Sequence, residues 1–174
     1  WNGEWISLSA LRMSPALLRC ARPSRKSPVV CRSGAVDLLD YELSVGEHYF
    51  GQAVGLARET GVRLIAFFHN FQETPSAEAL VAKFVAMEKA GADAVKIAVM
   101  PRELRDVLTL LDATLTAQSA VSVPVISMSM GGFGSLSRLF GWVFGSSVSF
   151  AVGEARSAPG QVPIEQLNAV VDVV

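Results

Sequence analysis

Apolar and polar residues alternate along most of this chain in two rhythms, every second residue over short runs and every third or fourth over longer ones. Residues 36–43 (VDLLDYEL) read as a strand that places Asp40 and Glu42 on one face. Residues 47–60 have helical spacing and stop at Gly61, a good C-terminal stop. Residues 62–69 (VRLIAFFH) form a β-rich apolar run. After Thr74 and Pro75, residues 76–90 set Ala79, Leu80, Lys83, Phe84 and Met87 at periods of three and four, and Gly91 ends that helix. Residues 92–101 (ADAVKIAVMP) read as a short buried strand stopped by a proline. Residues 102–118 form another helix, with Leu104, Val107, Leu108, Leu111 and Leu115 as its expected apolar stripe. A strand at 124–130, a Gly-rich turn, a short helix at 135–140, a strand at 146–152 and a helix at 164–173 complete the pattern. Strands alternating with helices through short loops predict a parallel α/β fold with right-handed crossovers.

Two architectures satisfy that alternation, an open doubly wound sheet and a (β/α)₈ barrel. No Gly-rich phosphate fingerprint follows the first strand, which counts against a dinucleotide-binding sheet. Gly131, Gly132 and Gly134 make no phosphate loop either, because no lysine follows at the required spacing. Glu42, His69, Lys96 and Met130 all fall where strands end, which in a barrel is the catalytic face. About five strand–helix units are countable against the eight of a full barrel. The expected fold is therefore a partial TIM barrel over residues 35–174, with roughly three units missing ahead of it.

Bulk composition narrows the function. The 174 residues suffice for one core, and 51% hydrophobic with 18% charged residues describes a globular chain. A net charge of −1 gives no case for nucleic acid, and no apolar run is long enough for a membrane span. Cys20 and Cys31 make no disulfide framework, so a reducing, cytoplasmic compartment is the default. The charge is unevenly spread. Residues 1–34 hold six Lys/Arg and one acid, Glu4, whereas the remainder holds nine basic and fifteen acidic residues. This basic, Pro-containing segment is set apart as an atypical and disordered arm, a transit peptide or a piece foreign to the fold. Its start at Trp1 reads as a truncation.

Lys96 is the chemically pointed residue. Burial disfavours an ammonium, and a lysine that is neutral part of the time is a nucleophile for a carbonyl. Strand alternation sets Ala94 and Ala98 on its face, leaving open space above it. From the strand alone, a lysine snorkelling from a strand end accounts for the pattern equally well.

Five blocks together resemble type I 3-dehydroquinate dehydratase: His69 to Pro75 (HNFQETP), Gly91 to Pro101, Met128 to Gly131 (MSMG), Ser137–Arg138, and Ser157 to Gln161 (SAPGQ). They occur in family order with similar spacing, and the resemblance runs from about Ser33 to Val174, corresponding to strands 4–8 of that barrel. It implies that Lys96 condenses with the ketone of 3-dehydroquinate to an iminium. It implies that His69 moves the proton of the neighbouring carbon to the departing hydroxyl, giving 3-dehydroshikimate in the shikimate pathway. Histidine suits this because its titration lies near working pH.

The same resemblance implies that Arg138 grips the substrate carboxylate with a planar fork. Ser157 and Gln161 would bond substrate from a closing loop, and Met130 would line the pocket. Asp40 and Glu42 would form an inner polar network that orients His69. No cofactor and no metal are implied, the partner is the small-molecule substrate, and the complete enzyme is expected to be a homodimer. Taken singly, these residues have duller readings: a structural histidine, a surface arginine, a turn, core methionines, strand-end carboxylates. His48 is expected to be solvated. The substrate contacts that the family draws from its first three strands are not found here. Weak or absent activity of the chain alone is therefore expected, since misplacing reactants by about 1 Å costs on the order of 100-fold. A class I aldolase-like Schiff-base lyase and a non-catalytic binding or regulatory relative remain as alternatives.

Overall fold

The computed structural model of the chain describes residues 5–7, 20–21, 27–43, 47–152 and 162–173. Its centre is a parallel sheet in the order β2-β3-β4-β5-β6, formed by β2 (Cys20–Ala21), β3 (Leu38–Glu42), β4 (Arg63–Asn70), β5 (Ala94–Val99) and β6 (Val125–Ser129). Helices α2 (Glu47–Thr60), α3 (Ala77–Lys89) and α4 (Leu104–Ala120) connect β3 to β6 in turn. Each begins and ends within about two residues of the segment its periodicity predicts, as expected for helix boundaries. Ser76 caps α3 by accepting from Ala79 N, and Asp106 closes a capping box with Glu103 on α4. The fold is thus α/β with a parallel sheet, consistent with part of a TIM barrel.

Both faces of the sheet are buried, which is why β5 can be apolar throughout; all six of its residues are buried. Leu39, Leu64, Ala66, Val95, Ile97 and Val99 pack outward on the helices, against Phe50, Leu80, Phe84, Met87 and Leu110. The alternate residues Leu38, Ile65, Ala94, Ala98, Ile126 and Met128 form a second, inner cluster. Val148 and Phe150 of β7 (Val148–Phe150) complete it. β7 does not extend the parallel ladder. It pairs antiparallel with β1 (Trp5–Ser7) and is tied to β6 by a 2.7 Å bond from Ser147 N to Val125 O. The basic first segment also supplies β2, on the other side of β3, and helix α1 (Ser27–Arg32). α1 drops Cys31 into the core at 2% exposure, and burial pushes its thiol up.

The apolar stripe expected on α4 is corrected in part. Val107 and Leu111 of that stripe are buried, together with Leu110, Ala113, Thr114 and Ala117, while Leu104, Leu108 and Leu115 are exposed. Small residues face the sheet because α4 sits close to β6. The Thr114 hydroxyl lies 2.7 Å from both Leu110 O and Ser127 Oγ. A periodic count of leucines weights size, whereas close packing selected the alanines and the threonine. Among the described residues no helix is long and apolar enough to cross a membrane.

The C-terminal end of α3 is tied to the turn before β6 by one carboxylate. Ser122 donates from its N at 2.7 Å and from its hydroxyl at 2.6 Å to Glu88 Oε1. The Ser122 hydroxyl, then its backbone N–H, hold the Glu88 carboxyl below its ordinary value. A carboxyl depressed in the folded state adds stability above its unfolded value and loses it as pH falls through the folded one. Glu88→Gln is therefore expected to lower the melting temperature at pH 7. The difference should shrink as pH drops through the carboxylate range, and thermal melts across pH 3 to 7 check it. A pH-independent difference would show that the charge is irrelevant to this tie.

Candidate active site

The inner face of the sheet carries the chemistry. Register places Phe67 of β4 beside Lys96 of β5, with Asp40 on the next strand, β3. The Lys96 amine reaches across β4 and donates to Asp40 Oδ2 at 2.7 Å, both side chains being at least nine-tenths buried. Two aromatic faces adjoin the ammonium, Phe67 with its centroid at 5.2 Å and Phe150 at 5.0 Å. Lys96 does not snorkel. The space expected above it is bordered by these two rings and the carboxylate. Asp40 Oδ2 serves the lysine, and its Oδ1 has no hydrogen-bond partner among the described residues.

His69 stands two residues beyond Phe67, in register with Ala98, and so shares the inner face with Lys96. Its half-buried ring lies between those of Phe67 at 4.6 Å and Phe71 at 5.4 Å. The turn after it is built by Asn70, whose Oδ1 accepts from Gln72 N at 2.9 Å and Glu73 N at 3.1 Å. That turn is joined to the one after β5. Thr74 Oγ1 donates to Met100 O at 3.2 Å, and Arg102 Nε to Gln72 O at 3.2 Å. The two strands that bear His69 and Lys96 therefore end in loops that hold each other.

Arg138 lies on the short helix α5 (Ser135–Phe140) and is 5% exposed. One of its terminal nitrogens, Nη1, donates to Phe150 O at 3.3 Å and lies 3.9 Å from Met128 Sδ. Its Nε is buried with no partner among the described residues, and burial pushes the guanidinium down from its ordinary value. A guanidinium remains a cation under such a shift. Phe150 thus links the two cations, its carbonyl taking Arg138 and its ring facing the Lys96 amine. Met130, half-buried, packs at the edge of the inner cluster. Glu42, also half-buried, is in register with Phe67 on the face shared by Asp40. Ser157 and Gln161 lie outside the described residues. His48 is exposed beside Gln52 at 3.0 Å, away from the inner face. Sequence reasoning missed Phe67 and Phe150. The first was legible as the inner-face neighbour two residues before His69; the second was not, since it comes from β7, outside the parallel sheet.

A family profile described as Type I 3-dehydroquinase matches residues 28–174. The chain belongs to the type I 3-dehydroquinase family. A 3-dehydroquinate dehydratase of Aromatoleum aromaticum is 68% identical over 145 residues, 83% of this chain and 56% of that protein. One from Geobacillus thermodenitrificans is 54% identical over the same shares of the two chains. The crystal structure of 3-dehydroquinate dehydratase from Geobacillus kaustophilus superposes with a TM-score of 0.81 at 46% identity, covering 84% of this chain and 56% of that one. The chain thus spans about half the length of the 3-dehydroquinase relatives it matches.

Removing one member of a buried ion pair leaves an uncompensated charge, at a cost of about 3–5 kcal/mol. Asp40→Ala is expected to destabilise the chain on that scale, and Asp40→Ala with Lys96→Met to recover most of the loss. Urea unfolding checks both, and additive losses would contradict the pairing. A methyl group added at Gly134 would clash with Ser129 O, whereas one at Gly132 meets nothing within 4 Å. Gly134→Ala is expected to cost about 1–3 kcal/mol as an overpacked site. Gly132→Ala should stay within about 0.5 kcal/mol. Equal effects would place α5 differently.

Proposed function

We propose that this chain carries the Schiff-base centre of a 3-dehydroquinate dehydratase. One observation carries the reading: a buried lysine amine, hydrogen-bonded to a carboxylate, faces the same side of the sheet as a histidine on the adjacent strand. Asp40 Oδ2, at 2.7 Å, is placed to take the proton that the Lys96 ammonium must lose before it attacks. The freed amine adds to the ketone carbon of 3-dehydroquinate, and loss of water leaves an iminium. That cation draws electrons from the neighbouring carbon, so His69 can remove its proton. The same imidazole then protonates the departing hydroxyl as the carbon–carbon double bond forms. Water adds to the product iminium, Lys96 leaves, and 3-dehydroshikimate is released.

Arg138 supplies the fixed charge in this scheme. A buried cation whose neighbours are a carbonyl and a thioether is suited to a carboxylate. The Phe67 and Phe150 faces exclude water around the amine, which strengthens each electrostatic contact. Met130 lines the rim, Glu42 stands at the strand end, and Ser157 and Gln161 bond the substrate. A cytoplasmic location and a homodimer of the complete enzyme belong to the same reading.

Sodium borohydride reduces an iminium to a stable secondary amine, so trapping reads the Lys96 chemistry without requiring full turnover. Incubation with 3-dehydroquinate and borohydride is expected to leave the substrate, or its dehydrated product, on the peptide bearing Lys96 as a secondary amine, the ketone oxygen having left as water. Lys96→Ala should abolish the adduct, while His69→Ala should leave it formed but stop release of 3-dehydroshikimate. Modification of a different lysine, or trapping by aldol substrates instead, would overturn the assignment.

A further inference from the structure

We propose that Ser149 and Ser137 are positioning residues that set the Arg138 guanidinium for a ligand carboxylate from behind the sheet. The proposal rests on the reading of Arg138 as the carboxylate-binding group. Helix α5 has only six residues, and neither Gly134 before it nor Gly141 after it offers a side-chain cap. So short a helix is not stable by itself, and its place is set by tertiary bonds. Three such constraints converge on it. Ser137 Oγ accepts from Ser129 N at 2.8 Å and donates to Gly134 O at 2.8 Å, fastening the first turn of α5 to the end of β6. Gly134 lies so close to Ser129 O that no side chain fits between them. Ser149 Oγ donates to Arg138 O at 2.8 Å, fastening the arginine's own backbone to β7.

β7 therefore grips Arg138 at both ends. The Ser149 hydroxyl holds its carbonyl, and the next residue's carbonyl, Phe150 O, holds its Nη1 at 3.3 Å. Strand alternation puts Ser149 on the face opposite Val148 and Phe150, which belong to the inner cluster around Lys96. Ser137 is 2% exposed and Ser149 8%, and both are engaged with backbone atoms. A ligand lying over Lys96 touches neither hydroxyl, so their effect passes through Arg138 alone. With either serine removed, α5 loses a fixed point, and a bidentate guanidinium–carboxylate contact is sensitive to orientation. The loss should fall on the carboxylate and spare the rest of the ligand.

Titration calorimetry of the full chain with quinate and with methyl quinate tests this, because the two ligands differ only in the carboxylate. The wild-type chain is expected to prefer the acid. Ser149→Ala and Ser137→Ala should each weaken quinate binding by about tenfold, the scale of one lost hydrogen bond, and leave methyl quinate unchanged. Ser149→Thr keeps a hydroxyl and should restore the preference for the acid. Equal weakening of acid and ester, an unchanged preference in both alanine variants, or no rescue by Ser149→Thr would overturn the positioning role while leaving Arg138 as the anion site. A wild-type chain that binds neither ligand, or both alike, would overturn the carboxylate reading and this proposal with it. Circular dichroism melts verify folding, and the two alanine variants report independently should one fail to fold.

Discussion

A single ion pair, Lys96 to Asp40 at 2.7 Å, sets the terms for the rest of this molecule. An ammonium and a carboxylate withdrawn from water are costly apart, and they are tolerable inside a protein only when they meet. They come from β5 and β3, so β4 must lie between them in register. A slip of one residue in β3 or β5 would send its charge to the helix face. The outer core guards that register. Leu39, Leu64, Val95 and Ile97 fit the helices only when Asp40 and Lys96 point the other way. Packing on one side of the sheet thus fixes electrostatics on the other.

Arg138 meets the same problem differently. It too is a buried cation, but its contacts among the described residues are a carbonyl and a sulfur rather than a carboxylate. Desolvation lowers its guanidinium from the ordinary value. Among the described residues, one buried cation is matched by a carboxylate and the other only by a carbonyl and a sulfur. Phe150 keeps the two at a fixed separation.

Much of this was legible in the sequence, because periodicity reports burial. The helices and strands from residue 36 onward follow their patterns closely, and Lys96 and His69 stand out as polar residues within apolar runs. Three features were not legible. The phase of α4 was misread in part because leucines dominate a hydrophobic count, while Ala113, Thr114 and Ala117 dominate the contact with β6. The partner of Asp40 was not legible because alternation gives a residue's face but not its partner two strands away. Phe150 meets Lys96 from β7, which lies outside the parallel sheet, and a contact of that kind leaves no trace in local spacing. The segment before residue 34 contributes α1, β1 and β2, yet its composition gave no periodic sign of them.

A crystal structure of this chain, at a resolution that places the Lys96 amine, is the most direct test of the central claim. Nζ is expected within hydrogen-bond distance of Asp40 Oδ2, between the Phe67 and Phe150 rings, with the His69 imidazole on the same side of the sheet. A Lys96 amine directed at the helices or at solvent, with Asp40 turned elsewhere, would contradict the account.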